Sequence, residues 1–464
     1  MAPDARVHEA AELVRRLGAP ERIGRVVRVT GLVTEVSLPG ARVGDQVVLE
    51  RSRTVGDLEG DVQGEVVGFE GHLAVVMVLS DVRGLAPGAR VRRRGHGATI
   101  AASAELAGRV IDPFGRPLDG RPAPLCEARV PLEQAAPSVR DRLRVERAFE
   151  TGVRAIDGLL TCGRGQRVGI FAGAGVGKTL LVRQILAQSR ADVAVVGLVG
   201  ERGCEVADLL ASSDVSARAM VVVATSDRPP LERVRGARAA TAIAEHFRDQ
   251  GKHVVLVIDS LTRYAMALRE IGLSAGEPPA TKGYPPSVFA ELPRLLERVA
   301  PMAAGGSITA FYTVLVEGDD LADPIADAAR SLLDGHIVLG RDLASRGHFP
   351  AVDVLASGSR VARQVTSSDV QALAVRARAV LAKRREAEEL RSLGAYVPGA
   401  SSDYDEALLL GGALDAWLRQ SSDEKSELET TLAGLRAALV LPTPAATLAA
   451  TPAMTATRTE VARR

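Results

Sequence analysis

Hydrophobic and polar positions change their period three times along this chain. At the start, Val7, Ala10, Ala11, Val14 and Leu17 share one side of a 3.6-residue repeat, with Arg6, Glu9, Glu12 and Arg15 on the others. That spacing predicts a short amphipathic helix over residues 4–17, which either packs on its own domain or docks on a partner or a membrane surface. From residue 23 to about 94 the period becomes that of strands. Runs at 25–29, 32–38, 46–49, 64–69, 73–79 and 89–92 are separated by turn signals such as Pro39-Gly40 and Pro87-Gly88. Many short strands with no long helix predict a small closed barrel, which leaves no exposed sheet edge.

Beyond His96 the pattern alternates. Apolar runs at 168–171, 193–199, 220–224, 254–258 and 308–313 suit strands buried on both faces, and helical patterns such as 231–250 lie between them. This predicts an α/β fold with a parallel sheet and crossover helices. After about residue 365 the strand signal stops, and 369–390, 404–419 and 423–438 follow helical periods. The expected organisation is an N-terminal helix (1–20), a β-barrel domain (21–95), an α/β domain (96–365), a helical C-terminal domain (366–440) and a disordered Ala-, Thr- and Pro-rich tail (441–464).

Composition narrows the picture. The 464 residues exceed one core of usual size. A net charge of +1 gives the chain no overall field for nucleic acid or anionic membrane. Three scattered cysteines, Cys126, Cys162 and Cys204, make neither a disulfide framework nor a zinc site, which fits a cytoplasmic protein. No apolar run is long enough for a transmembrane helix, and no secretory signal opens the chain.

The chemistry concentrates where the 168–171 strand gives way to a helix at Lys178. There Gly173, Ala174, Gly175, Val176 and Gly177 lead into Lys178, Thr179 and Leu180. Glycines let the backbone wrap so that its N–H groups face phosphate oxygens, and the helix N-terminus adds its dipole. In this phosphate-binding loop Lys178 would reach the β- and γ-phosphates of ATP, and the Thr179 hydroxyl would hold Mg²⁺. Ala172 stands where the usual pattern has its first glycine. The apolar run 254–258 ends in Asp259, which would bind Mg²⁺ or its waters beside Thr179.

Longer motifs carry a family resemblance. Val199-Gly200-Glu201-Arg202-Gly203-Cys204-Glu205 resembles the Gly-Glu-Arg motif of rotary ATP synthase catalytic subunits. The stretches 150–159, 259–267, 276–289, 306–320 and 333–339 look like the flagellar and injectisome type III export ATPases, close relatives of those subunits. Residues 352–361 resemble that family's Ser-Arg motif. The resemblance spans roughly 23–419 and leaves out the tail. It implies a RecA-like P-loop core, Mg²⁺-dependent ATP hydrolysis and a homohexameric ring with its sites at subunit interfaces. Glu201 would align the attacking water, with Arg202 beside it, and Arg360 would reach the neighbour's site as an arginine finger. The adenine contacts would be Phe349 and Tyr396, each of which could equally be core packing.

The resemblance further implies partners: a peripheral stalk regulator, a central stalk protein, export chaperone–substrate complexes and the inner-membrane export gate. The protein would work at the cytoplasmic face of that membrane. The Pro-rich segment 277–287 would be a stiff non-helical loop facing the central channel.

Three other readings compete. A rotary synthase catalytic subunit shares the P-loop, Glu201 and Arg360 motifs, but 277–287 and the run 317–320 favour the export family. A ring-shaped RNA translocase needs stacking aromatics on its barrel, where only Phe69 is present and Arg92, Arg93 and Arg94 read as a solvated turn. An inactive scaffold subunit would not need both Lys178 and Glu201.

Overall fold

The computed structural model describes residues 23–51, 60–211, 217–303, 305–316, 318 and 320–441. The helix expected at 4–17 and the tail from 442 onward lie outside them. The first six strands are β1 (Ile23–Thr30), β2 (Val33–Ser37), β3 (Asp45–Leu49), β4 (Val62–Glu70), β5 (Leu73–Val78) and β6 (Arg90–His96). They close into a barrel in the order β1-β2-β5-β4-β3-β6, with every pairing antiparallel. Burial alternates along β3 and most of β4, so one side chain in two fills the barrel with Val36, Val47, Leu49, Val66 and Val76. Arg92, Arg93 and Arg94 lie on strand β6 rather than in a turn. The strand is tolerated there because Arg92 pairs with Glu50 at 3.2 Å and Arg93 with Asp45 at 3.5 Å.

β7 (Thr99–Ala102) pairs with β9 (Ala128–Pro131) in a separate two-stranded sheet, and β8 (Val110–Ile111) joins the main sheet. β10 (Ala148–Phe149) and β11 (Cys162–Gly163) form a second small pair. The remaining strands are β12 (Arg167–Ala172), β13 (Val193–Val199), β14 (Ala219–Ala224), β15 (His253–Asp259), β16 (Ser307–Leu315), β17 (Gly335–Val338) and β18 (Gly358–Ser359). The sheet runs β18-β17-β12-β16-β15-β13-β14-β8, parallel except for the edge strand β18. β14 and β15 are buried along their whole length. Helices cover both faces, as an all-apolar strand requires.

The helix Pro230–Asp249 crosses the sheet, and its Leu231 packs with Met77 and Leu79 of the barrel. Gly197 on β13 makes that crossing close: a Cβ there would stand 3.0 Å from Ala240 and 2.9 Å from Ile258. The C-terminal helices are Ser368–Ser392, Ser402–Leu418 and Leu428–Ala438. The last begins five residues later than its periodicity suggested. Ser421, Gln420 and Glu424 instead build a hydrogen-bonded connection there, with Gln420 Nε2 donating to the Gly152 carbonyl at 2.7 Å. Trp417 packs on Gly158 and buries the helical domain against the core.

The Pro-rich segment also differs from expectation. Thr281–Gly283 forms a short 3₁₀ turn, and Pro286 and Ser287 begin the helix Pro286–Leu296. Proline fits the first helical position because its fixed φ is helical and its missing N–H would have had no partner. Among the described residues, no helix is long and apolar enough to cross a membrane.

Candidate active site

Four neighbouring strands, β12, β16, β15 and β13, deliver the site at their carboxyl ends, the edge at which open α/β sheets bind ligands. β12 runs into the phosphate loop, and the helix Lys178–Gln188 starts directly after it. Two glycines are required here by conformation: Gly175 has φ +77 and Gly177 has φ +102, both in the left-handed region. Gly177 is the N-cap and makes no side-chain cap, so the first helical N–H groups stay available to an anion. Ala174 is exposed at the tip, whereas Val176 is buried and anchors the loop. Thr179 and Leu180 are half-buried in the first turn.

Lys178 lies between the two acidic strand ends. Its Nζ is 2.5 Å from Asp259 Oδ1 and 3.3 Å from Glu201 Oε1. Burial pulls the ammonium down, but the charges of Asp259 and Glu201 outweigh it and hold Lys178 above its ordinary value. Asp259 ends β15, and Thr313, on the adjacent β16, donates to the same Oδ1 at 2.6 Å. Oδ2 makes neither of those bonds. Asp259 and Thr179 are hard oxygen donors of the kind Mg²⁺ takes together with phosphate oxygens, so the residues present fit that ion.

Glu201 stands two residues past the end of β13, after Gly200 at φ +71. It is buried, and its carboxyl is raised first by that burial and then by a hydrogen bond with Glu205, while Glu205 is lowered by the same bond. Glu205 sits four residues on, in the helix Gly203–Leu210. Arg202 does not join Lys178; it is largely exposed and its Nε donates to Glu205 at 2.8 Å.

Phe349 lies beside the loop, its ring edge 3.5 Å from where a Gly177 Cβ would stand, and it is 37% exposed. Tyr396 is placed elsewhere. It is buried between the C-terminal helices, its hydroxyl donates to Asp405 at 2.6 Å, and its ring meets Tyr404 edge-on at 5.6 Å. Arg360 follows β18 at the outer edge of the sheet, exposed, with Nη2 donating to the Arg330 carbonyl at 3.3 Å. Because Ser359 pairs with Gly335, the first residue of β17, Arg360 is at the opposite strand end from the phosphate loop.

Three further residues at the site carry no assignment from sequence. Thr313 belongs to a run that reads as apolar, although a hydroxyl near the end of such a strand is a signal. Glu205 stands in a motif that gives it no role. Arg341 lies outside every motif, and its Nη1 donates to the Ala174 carbonyl at 3.3 Å.

A parallel sheet that gathers a phosphate loop, its lysine and two acidic strand ends at one edge, with a barrel before it and a helical domain after it, defines a P-loop ATPase. Residues 152–359 match the ATP synthase alpha/beta family nucleotide-binding domain, 26–95 match that family's beta-barrel domain, and 366–437 match the T3SS EscN ATPase C-terminal domain. The chain is 48% identical over 438 residues to the flagellum-specific ATP synthase of Salmonella typhimurium, spanning 92% of this chain and 95% of that protein. It is 47% identical over 412 residues to the type 3 secretion system ATPase of Sinorhizobium fredii, spanning 88% and 90%. Among solved structures, it resembles the assembled ATPase EscN in complex with its central stalk EscO, from the enteropathogenic E. coli type III secretion system. The TM-score is 0.82 at 40% identity, over 90% of this chain and 100% of that one. The chain belongs to the family of flagellar and type III secretion ATPases.

Proposed function

We propose that this protein hydrolyses Mg²⁺-ATP at the interfaces of a homohexameric ring and thereby drives type III protein export at the cytoplasmic face of a bacterial inner membrane. The observation that carries this reading is the division of the site. Lys178, Glu201 and Asp259 converge within one chain, whereas Arg360 is exposed on the far strand of the sheet. A guanidinium placed there serves a neighbouring copy rather than its own P-loop.

In this mechanism the loop N–H groups and Lys178 hold the phosphates in place. Thr179 and Asp259 would hold the metal, which would supply neutralising charge to the phosphate oxygens. Glu201 accepts a hydrogen bond from the attacking water and aligns it in line with the γ-phosphate. Its burial, its neighbour Glu205 and the charges of Asp259 and Lys178 set how readily it carries a proton. Arg360 of an adjacent copy stabilises charge on the transferring group, and Phe349 offers an apolar face to the adenine. Tyr396 is less well placed for that contact than Phe349. Arg202 supports Glu205 and acts on the site through it. The work of the cycle is release of export substrates from their chaperones and their unfolding for the export gate. A peripheral stalk regulator and a central stalk protein are the expected partners, and the segment 277–287 is the coupling element toward the central channel.

The test is phosphate release from purified protein. Lys178→Ala, Glu201→Gln and Arg360→Ala should each lose on the order of 10³-fold in turnover. Rings mixed from Lys178→Ala and Arg360→Ala chains should recover activity, since some interfaces then join an intact P-loop to an intact arginine. Turnover near that of the unaltered protein in Lys178→Ala or Glu201→Gln refutes the site, and no recovery on mixing refutes the shared interface.

A further inference from the structure

The groove between barrel and ATPase domain holds positive charge that the hydrolytic site does not use. A cavity of about 490 Å³ opens there, lined among others by Gln46 of β3, Arg94 of β6, and Phe114, Arg116, Arg129 and Arg235 from the ATPase side, with no acidic residue among the described residues of its wall. Arg116 is neutralised by Asp112 at 2.9 Å. The other three guanidiniums have no carboxylate partner among the described residues.

Arg235 is the most informative of them. It is half-buried and, among the described residues, donates only to uncharged acceptors: the Pro113 carbonyl at 3.1 Å, the Thr99 carbonyl at 3.2 Å and Gln46 Oε1 at 3.4 Å. Burial holds it below its ordinary value, the sign of a charge with too little compensation. Glu65, the carboxylate acting most strongly on it, is already engaged by Gln46 Nε2 at 2.7 Å. The guanidinium carbons of Arg116 and Arg235 each lie 4.7 Å from the centroid of the Phe114 ring, so two like charges share one aromatic. A half-buried cation without a counter-ion is costly, and an anion arriving from solvent removes that cost.

We propose that this groove binds a compact, multiply charged phosphate anion, such as diphosphate, that bridges the barrel to the ATPase domain. Arginine forks match phosphate oxygens pairwise, and two or more negative charges are needed to answer three guanidiniums that have no carboxylate partner among the described residues. The ring of Phe114 is already covered by guanidiniums and is not free to stack a base, which disfavours a nucleotide or single-stranded RNA here.

The experiment is calorimetric titration of diphosphate into full-length protein carrying Lys178→Ala, which removes the P-loop's charged phosphate ligand, and into the same protein with Arg94→Gln and Arg129→Gln added. Arg94 and Arg129 are exposed, so neither change should disturb folding, and coincident thermal unfolding curves verify this. The expected result is one site per chain, weakened about tenfold or more for each guanidinium removed. Arg129→Gln alone should give the intermediate value. Absence of the site from the Lys178→Ala protein, or equal affinity with and without the two arginines, overturns the proposal. Phosphatidylglycerol vesicles and a single-stranded oligoribonucleotide are titrated in parallel. Arginine-dependent binding of either one without diphosphate binding overturns it as well.

Discussion

Thr313→Val isolates one hydrogen bond at the centre of the site. The side chain is fully buried, and its Oγ1 donates to Asp259 Oδ1 at 2.6 Å, the same oxygen that Lys178 contacts. Valine keeps the shape and removes only the donor. A hydrogen bond to a buried charged group contributes about 1.5–3 kcal/mol, and its loss leaves Lys178 as the one side-chain partner of Asp259 among the described residues. Once ATP draws Lys178 toward phosphate, Thr313 is the remaining anchor on Oδ1, so the deficit falls on the nucleotide-bound state. Converted to rate, it predicts a fall in turnover of roughly 10- to 100-fold. The affected carboxylate is the proposed metal ligand, so the dependence of rate on Mg²⁺ concentration should also move to higher metal. The assay is steady-state phosphate release across a Mg²⁺ series, with Thr313→Ser, which keeps the donor, as the control. Turnover within about twofold of the unaltered protein at every Mg²⁺ concentration would show that Thr313 does not orient Asp259.

Further outcomes come from the same geometry. Glu201 is raised by burial and by its bond with Glu205, so it is protonated at a pH where an ordinary glutamate is still charged, and activity should fall with acidification from a correspondingly higher pH. Glu205→Gln removes a negative neighbour and leaves an amide that donates to the charged form, so the acid limb of the pH–rate profile should move to lower pH; an unmoved limb would disconnect the two carboxylates. Arg298 and Glu245 form a pair whose side chains are almost wholly buried, with Nε to Oε1 at 2.9 Å and Nη1 to the Leu132 carbonyl at 2.8 Å. Glu245→Ala strands the cation and should cost about 3–5 kcal/mol in chemical denaturation. A loss below about 1 kcal/mol would mean that the guanidinium finds another partner.

The elements that the sequence announced are those whose signal is local. The two-residue alternation of the barrel strands survives in β2, β3 and most of β4, and the apolar runs 193–199 and 254–258 lie within β13 and β15 because strands buried on both faces are built mostly of apolar residues. Gly175 and Gly177 were legible for a similar reason, since a left-handed backbone in a phosphate loop selects glycine without reference to the rest of the chain. The Arg92–Arg94 run was misread because its counter-charges, Glu50 and Asp45, come from other parts of the chain. Pro286 was misread because proline both breaks and begins helices, and the periodicity of the residues after it decides between the two.

From its residues alone the chain specified the candidate groups for the chemistry: a lysine after a glycine loop, a glutamate and an aspartate after apolar strands, and a distant arginine. It did not specify their mutual arrangement. Tertiary structure decided that β16 lies between β12 and β15, which puts the Thr313 hydroxyl on Asp259. It drew Tyr396 into the helical domain while leaving Phe349 at the loop, and it put Arg360 at the far edge of the sheet, away from its own phosphate loop. Strand order and edge position depend on how whole segments pack across hundreds of residues, and no short window of sequence contains that information.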